Sequence, residues 1–524
     1  MPHPVPRVVR PSAGVAVSLV AAAASAAALA VGVTFGAFVA GGSDSSCYLS
    51  EARLFARGTT RIDQPLARLA PWPDRAQTFA PAGHIASPAA PGTFVPMCPP
   101  GLPLVMAALQ KLGVSEFLAV PLLGALAVWL AFVAGRRIDG PMTGAAAAVL
   151  LACSPIFLYQ IVQPMTDVAA TAWWLLVTVL AIGRRDGAER PLAAGFAASI
   201  AVLTRPNLLP LAACVAIYLG MTAACGARRR LVLFGLGLLP GVIALGLLQR
   251  AMYGAPFATG YGSTSALFAV DNIVPNLRLC PAWLLSTHTP LLVLAAAAPA
   301  LVRGAAHAWL CLALVAVTLA CYLPYQVFDD WWYIRFLLPA SPPLIILSIV
   351  VLARFVRGAV PRAHAPVLVL VVVLMAGWWL HVARAGHAFD LSDFERHFRD
   401  AGTAVSERLP PGAVIITVKN SGSVHYYASR PTVSWDVLEP AWLEPAVAFL
   451  GEQGYVPYLL LESEEEPQFR VRFEGTTPLG ALDWPPAVQV DRAIRIYDPR
   501  DRARYFANEA VRTEYIWSRH EAPR

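Results

Sequence analysis

Charge is scarce in this sequence. Asp, Glu, Lys and Arg make up 14% of 524 residues, against 57% hydrophobic residues. A soluble domain needs more charge than that to cover its surface, so a soluble globular protein is excluded for the chain as a whole. CxxC spacing is also missing. The eight Cys are scattered, which argues against a zinc or thiol-redox motif. The polar C-terminal part has no Gly-rich phosphate loop, and no repeat of fixed period runs through the chain. Nor does one sign of charge dominate: the net charge is +7, and the Arg residues sit mostly in short loops between apolar runs. Membrane topology requires that pattern, so it is no sign of a nucleic-acid partner.

Long apolar runs fill the first three quarters instead, and mean hydropathy is +0.56. A bilayer needs about 20 apolar residues per span. The sequence predicts an all-α polytopic membrane protein of about eleven spans, near 15–40, 115–135, 142–160, 166–183, 190–204, 207–224, 231–249, 287–302, 305–325, 335–353 and 365–384. The first run is too long for a signal-peptide core, so an uncleaved helix is the better reading. Arg7, Arg10, Arg136–Arg137, Arg184–Arg185–Arg190, Arg228–Arg229–Arg230, Arg303 and Arg354–Arg357–Arg362 fall on one side of such an arrangement. The positive-inside rule makes that side cytoplasmic. The N-terminus is then cytoplasmic, the C-terminal part extracytoplasmic, and the setting the inner (plasma) membrane.

The organisation expected is a transmembrane domain over 1–385, with a long Pro-rich outer loop at 41–114, followed by a small α/β domain over 386–524. AVIITV at 413–418, YLLL at 458–461 and IRIY at 494–497 read as strands. Residues 393–409 and 444–453 read as amphipathic helices. Residues 250–286, with YGAPFATGYGSTS, read as another outer segment. Cys47, Cys98 and Cys280 fall in outer loops, and a Cys47–Cys98 disulfide is possible if that side is oxidising.

Residues 41–58, GGSDSSCYLSEARLFARG, follow the charge-free run Val15–Ala40. Asp44 is therefore expected at the outer mouth of the first span. It has three readings: a solvated loop residue, the N-cap of a helix over 45–57, or a catalytic base at the lip of a membrane cavity. That helix carries Tyr48, Ala52 and Phe55 on one stripe and is expected to lie flat on the bilayer. Glu51, two turns on, is a second candidate acid, or a solvated partner for a nearby Arg. Asp167, in QPMTDVAATAWWLL, opens the fourth span, as an acid or as an N-cap. Arg205 in LTRPNLLPL and Arg335 in DDWWYIRFLLPASPP are also expected outside. Guanidinium groups match phosphate oxygens; the plain alternative is snorkelling to the headgroups. Trp332 and Tyr333 suit an interfacial aromatic belt and, with Tyr48, are candidate walls of a substrate pocket. Carboxylates, guanidinium groups and aromatics at interface depth suit group transfer from a lipid phosphate.

Four stretches together resemble a known family: GSDSSCYLSEARLFARG, CPPGLPLVMAALQKLG, SPIFLYQIVQPMTDVAATAWWLL and WWYIRFLLPASPPL. In order and spacing, over about residues 12–384, the chain resembles GT-C fold membrane glycosyltransferases of the family 39-like group, which holds protein O-mannosyltransferases and aminoarabinose transferases. The resemblance implies transfer of a sugar from a polyprenyl-phosphate carrier to a protein, lipid or glycan acceptor on the outer face, with inversion. It makes Asp44 the base, Asp167 a second acid and Arg335 the phosphate-steadying cation. Two departures stand out: Ser45 where many relatives have a second acid, and Cys98 where many have His. Some relatives need a divalent metal, and the sequence leaves that possibility open. A transporter or flippase of lipid-linked sugars is the rival reading, though it would be expected to show inverted repeats, and a scaffold protein with a binding tail is the third.

Overall fold

The computed structural model describes residues 13–183, 189–223, 226–262, 264–302 and 304–517. Arg7, Arg10, Arg184, Arg185 and Arg303, used above for topology, lie outside the described residues. Among the described residues six helices are long and apolar enough to cross a membrane: Gly14–Thr34, Glu116–Ile138, Ala227–Tyr253, Ala305–Tyr322, Trp331–Ala359 and His364–Ala385. Two helix pairs pass the same test but are bent, Pro141–Cys153 with Pro155–Ile161 by 61° and Val270–Thr287 with Pro290–Leu301 by 107°. Thr166–Ile182, Pro191–Thr204 and Pro206–Met221 are shorter apolar helices. The protein is a multi-pass membrane protein, and the number of crossings depends on how the bent and short elements are counted.

The bends correct two expectations. The straight span over 142–160 breaks at Ser154, whose backbone is extended (φ −62°, ψ 126°). Pro155 forces this, because the residue before a proline is driven out of the helical region. The segment 250–286 is not all loop: Ile273–Thr287 is helical. Its two prolines disguised it, yet Pro275 stands in the first turn, where no N–H is needed. Cys280 consequently lies in a helix. The two breaks meet. Ser154 Oγ is 2.8 Å from His288 Nε2 in a buried contact, Thr287 Oγ1 is 2.9 Å from His288 Nδ1, and the Trp379 indole donates to the His288 carbonyl. Polar groups opened by a break inside a membrane have to be satisfied by protein, and these contacts satisfy Ser154 and His288.

The chain divides into two compact units. The first holds residues up to Gly36, Leu118–Ile243 and Thr264–Phe389; the second holds Ala37–Phe117, Ala244–Ser263 and the residues from Asp390 on. The first unit is the helical one.

The second unit contains a small antiparallel sheet, in which Thr93–Pro96 lies between Ile62–Asp63 and His84–Ala86. A six-stranded sheet runs in the order Thr432–Val433, Ala413–Ile416, Val456–Glu462, Ile494–Tyr497, Val488–Val490 and Glu514–Ile516. The first three strands are parallel to one another. Val456–Glu462 is buried along nearly its whole length, which is why it reads as a continuous apolar run. The strands of this sheet that were not anticipated have two or three residues each, too short for a periodic signal. Trp72, Phe79 and Phe94 of the first loop share one core with Val414, Leu459 and Phe469 of the C-terminal part. Burial of rings this large is a main source of stability.

The helix Asp44–Ala56 corrects three expectations. Ser43 is the cap residue, with helical backbone and no side-chain capping bond, and Asp44 is already the first helical residue. Every residue from Ser45 to Ala52 is buried, so the helix does not lie on a bilayer with a wet face. Glu51 is 1% exposed and is no solvated ion-pair partner. Cys47 and Cys98 form a disulfide.

Candidate functional site

In the first unit the structure brings Asp167 and Arg205 together. Pro206 ends the helix Pro191–Thr204 and leaves Arg205 extended at its C-cap (φ −145°, ψ 89°). Its guanidinium reaches Asp167 Oδ1 at 2.6 Å, donates from Nη1 to the Tyr322 hydroxyl at 2.8 Å, and lies 3.3 Å from Thr166 Oγ1 through Nε. Asp167 is not an N-cap. Met165 holds that position, and the carboxylate points into the unit, 1% exposed. Its Oδ2 has no hydrogen-bond partner among the described residues. An ion pair this deeply buried needs such geometry to offset its desolvation.

Arg335 lies in the 3-10 turn Trp331–Ala340 that leads into the helix Ser341–Ala359. Its guanidinium carbon is 4.9 Å from the centre of the Phe336 ring, and that of Arg205 is 5.3 Å from the same ring. Two cations thus flank one aromatic face system, within cation–π range. Phe336 stacks on Tyr322 at 5.3 Å, and Tyr333 on Phe328 at 3.8 Å. Trp332 stacks on Tyr159 at 6.0 Å. A narrow cavity opens among Asn276, Trp283, Tyr322, Tyr325, Tyr333 and Phe336. Elsewhere in this unit an apolar groove of about 400 Å³ runs past Ala24, Ala28, Val31, Ala152, Leu158 and Leu380.

In the second unit Asp44 is half-buried, and Tyr48 and Glu51 of the same helix are buried. Neither Glu51 oxygen has a hydrogen-bond partner among the described residues. Burial raises its pKa well above the ordinary carboxylate value, because an isolated charge is costly away from water. Sequence reasoning missed the polar groups around this helix. His84 and His425 face each other with ring centres 5.8 Å apart. Burial lowers His84 to about 3 and His425 to about 4; the His425 ring depresses His84 further, and Arg53 depresses His425. Arg53 donates to the Tyr426 carbonyl at 2.7 Å and stacks on its ring at 3.3 Å. The available signal was HYY at 425–427, a polar-aromatic run inside the C-terminal part of the chain. Among the described residues no group of three or more His, Cys, Asp or Glu side chains is placed to hold a metal ion.

Solved structures share this architecture. The chain is similar to ArnT from Cupriavidus metallidurans bound to undecaprenyl phosphate, at 15% identity and a TM-score of 0.58, over 88% of this chain and 96% of that one. It is also similar to the archaeal oligosaccharyltransferase AglB from Archaeoglobus fulgidus, in complex with an inhibitory peptide and a dolichol-phosphate. There the identity is 13% and the TM-score 0.52, over 89% of this chain and 72% of that one. The fold is the GT-C fold, as the sequence resemblance implies. No family model matches the chain, and no curated protein does.

Proposed function

We propose that the protein is an integral-membrane glycosyltransferase. It moves a sugar from a polyprenyl-phosphate-linked donor to an acceptor hydroxyl on the outer face of the membrane, with inversion. One observation carries the reading: in an apolar helical unit, the guanidinium groups of Arg205 and Arg335 flank the Phe336 ring. Arg205 is already engaged by Asp167, Thr166 and Tyr322. The phosphate role is given first to Arg335, as the family resemblance implies, with Arg205 as the cation that holds Asp167 in place. A guanidinium beside aromatic rings suits a sugar phosphate, since the rings offer a face to the sugar and the fork binds oxygens. The apolar groove suits an isoprenoid chain. ArnT, with the same fold, was captured with undecaprenyl phosphate.

In this proposal Asp44 accepts the proton of the acceptor hydroxyl. The acceptor oxygen bonds to the anomeric carbon as the bond from that carbon to the phosphate oxygen breaks. The electron pair leaves with the polyprenyl phosphate, steadied by Arg335. Glu51 is the acid in reserve, because burial favours its protonated form and a protonated carboxyl accepts no proton. Asp167 supports the donor side through Arg205. Tyr48, Trp332 and Tyr333 stand as substrate-facing aromatics. The Cys47–Cys98 disulfide fits an extracytoplasmic first loop, since disulfides persist on oxidising sides. With that loop outside, the N-terminus is cytoplasmic and the C-terminal domain extracytoplasmic.

A transporter is the second reading, because broken helices often line transport sites. Here, however, Ser154 and His288 at the two breaks pair with each other at 2.8 Å, which favours the enzyme. The deciding experiment is Asp44→Asn in purified protein given undecaprenyl-phosphate-linked pentose or hexose with envelope extract as acceptor. Loss of transfer by about 100-fold or more is expected, as general-base catalysis contributes on that order. Undiminished transfer removes Asp44 from the mechanism.

A further inference from the structure

The run that leads into Asp44 has little regular structure of its own. Residues 35–43 between the first helix and Asp44 are neither helix nor strand, and Gly42 is left-handed (φ +51°). Within the second unit, the C-terminal part supplies several of the contacts that fix this run. The buried Ala40 N–H donates to the Tyr427 hydroxyl at 2.9 Å. A Cβ at Gly41 would collide with the Glu395 carboxylate and the Phe398 ring. Ala82 N–H donates to Ser421 Oγ at 2.9 Å, and Gly422 is pressed so closely on Ser46 that a Cβ would not fit. Further along the same helix, Tyr426 holds Arg53 from below its ring and through its carbonyl.

These residues belong to one turn-and-helix element, Ser421–Ala428, and to the neighbouring helix Leu391–Arg408. The element follows strand Ala413–Ile416, which lies between Thr432–Val433 and Val456–Glu462. The chain therefore leaves this strand first to one side and then to the other. Open α/β sheets place functional loops at the carboxyl ends of strands flanking such a reversal. The loop is braced from behind: Asn420 donates to Glu462 Oε1 at 2.8 Å, the Lys419 N–H donates to Glu465 at 3.2 Å, and His397 lies 3.2 Å from Glu462.

We infer that the C-terminal domain is a clamp that positions Asp44, with Tyr427 and Ser421 as positioning residues. This rests on the assignment of Asp44 as the base. A catalytic carboxylate at the first residue of a helix that an irregular run leads into needs external fixing, because a small displacement of a reacting group costs rate steeply. Tyr427 supplies the acceptor for a backbone donor four residues before Asp44. Ser421 supplies the acceptor for Ala82, next to Gly83, whose missing Cβ lets the Ser43 carbonyl and Cys47 close in.

The test uses the full chain in lipid nanodiscs and the variants Tyr427→Phe and Ser421→Ala, each of which removes one acceptor and keeps the packing. Hydrogen exchange over residues 40–48 is expected to accelerate about tenfold in both variants. Release of undecaprenyl phosphate from the pentose or hexose donor is expected to slow about tenfold in kcat, with donor KM within about twofold of the parent, since misplacement acts on the reacting geometry. Unchanged exchange in both variants overturns the inference, and so does a rate loss carried by donor KM. Failure of the base assignment is read separately: Asp44→Asn would then release carrier as fast as the parent.

Discussion

Asp167 in the first unit and Glu51 in the second are equally buried, each 1% exposed. Their surroundings are opposite. Asp167 meets a guanidinium at 2.6 Å, and that guanidinium is itself also held by Tyr322 and Thr166. Glu51 meets no donor among the described residues, and burial pushes its pKa up. A buried carboxyl can be accommodated by pairing or by holding its proton, and this chain uses one solution in each unit. The lesson concerns candidate acids generally: burial alone does not distinguish a fixed structural charge from a neutral acid, but the partner does.

The largest effect is expected from making Asp167 resemble Glu51. Arg205→Met removes the cation and leaves the carboxylate behind. Breaking a buried pair in this way costs about 3–5 kcal/mol, so the melting temperature in nanodiscs should fall sharply. Adding Asp167→Asn should recover part of the loss. A single variant that melts with the parent would mean that the pair contributes little to holding the first unit.

A smaller effect should come from loosening the helix that encloses Glu51. The Cys47–Cys98 bridge closes a sequence separation of 51 residues. The chain-entropy argument puts its contribution at about 4 kcal/mol or less. Replacing both Cys by Ser should lower the melting temperature less than Arg205→Met does. It should also let water reach Glu51, seen as faster carbodiimide labelling of that residue by mass spectrometry. Labelling at the parent rate would show that the helix is held without the bridge.

The helical membrane part and the α/β tail were legible because each rests on a local period. The apolar runs gave the apolar helices, though not how many of them cross, and AVIITV, YLLL and IRIY gave three strands of the larger sheet. Asp167 and Arg205 were each legible as charges at span ends, but their pairing was not, because it depends on how two helices pack. The burial of Glu51 was hidden for a similar reason. Glu51 reads as a solvated partner for a nearby Arg, and the element that packs on Ser46 of the same helix starts at Ser421, far along the chain. The Ala40–Tyr427 bond joins residues 387 apart, and no local pattern encodes such a contact. The break at Ser154 could have been read, since Ser154 precedes Pro155 and that dipeptide disfavours a continuing helix.

The finest test of the comparison is the slope of stability against pH. Glu51 has a folded pKa raised above its reference of 4.5. Its contribution is fully present below that pH and is lost as pH rises toward the folded value. His84 and His425 work the other way. Their folded values, about 3 and about 4, lie below the reference of 6.5, so stability is present above pH 6.5 and drains away as pH falls below it. Glu51→Gln should therefore gain on the parent by up to about 1.4 kcal/mol per pH unit above 4.5, until the folded pKa is reached, and should keep the acid-side loss. His84→Gln should flatten the acid side and keep the Glu51 slope. Melting curves between pH 4 and 8 separate the two. If Glu51→Gln tracks the parent at every pH, Glu51 has a partner that stabilises its charge, and the contrast with Asp167 disappears.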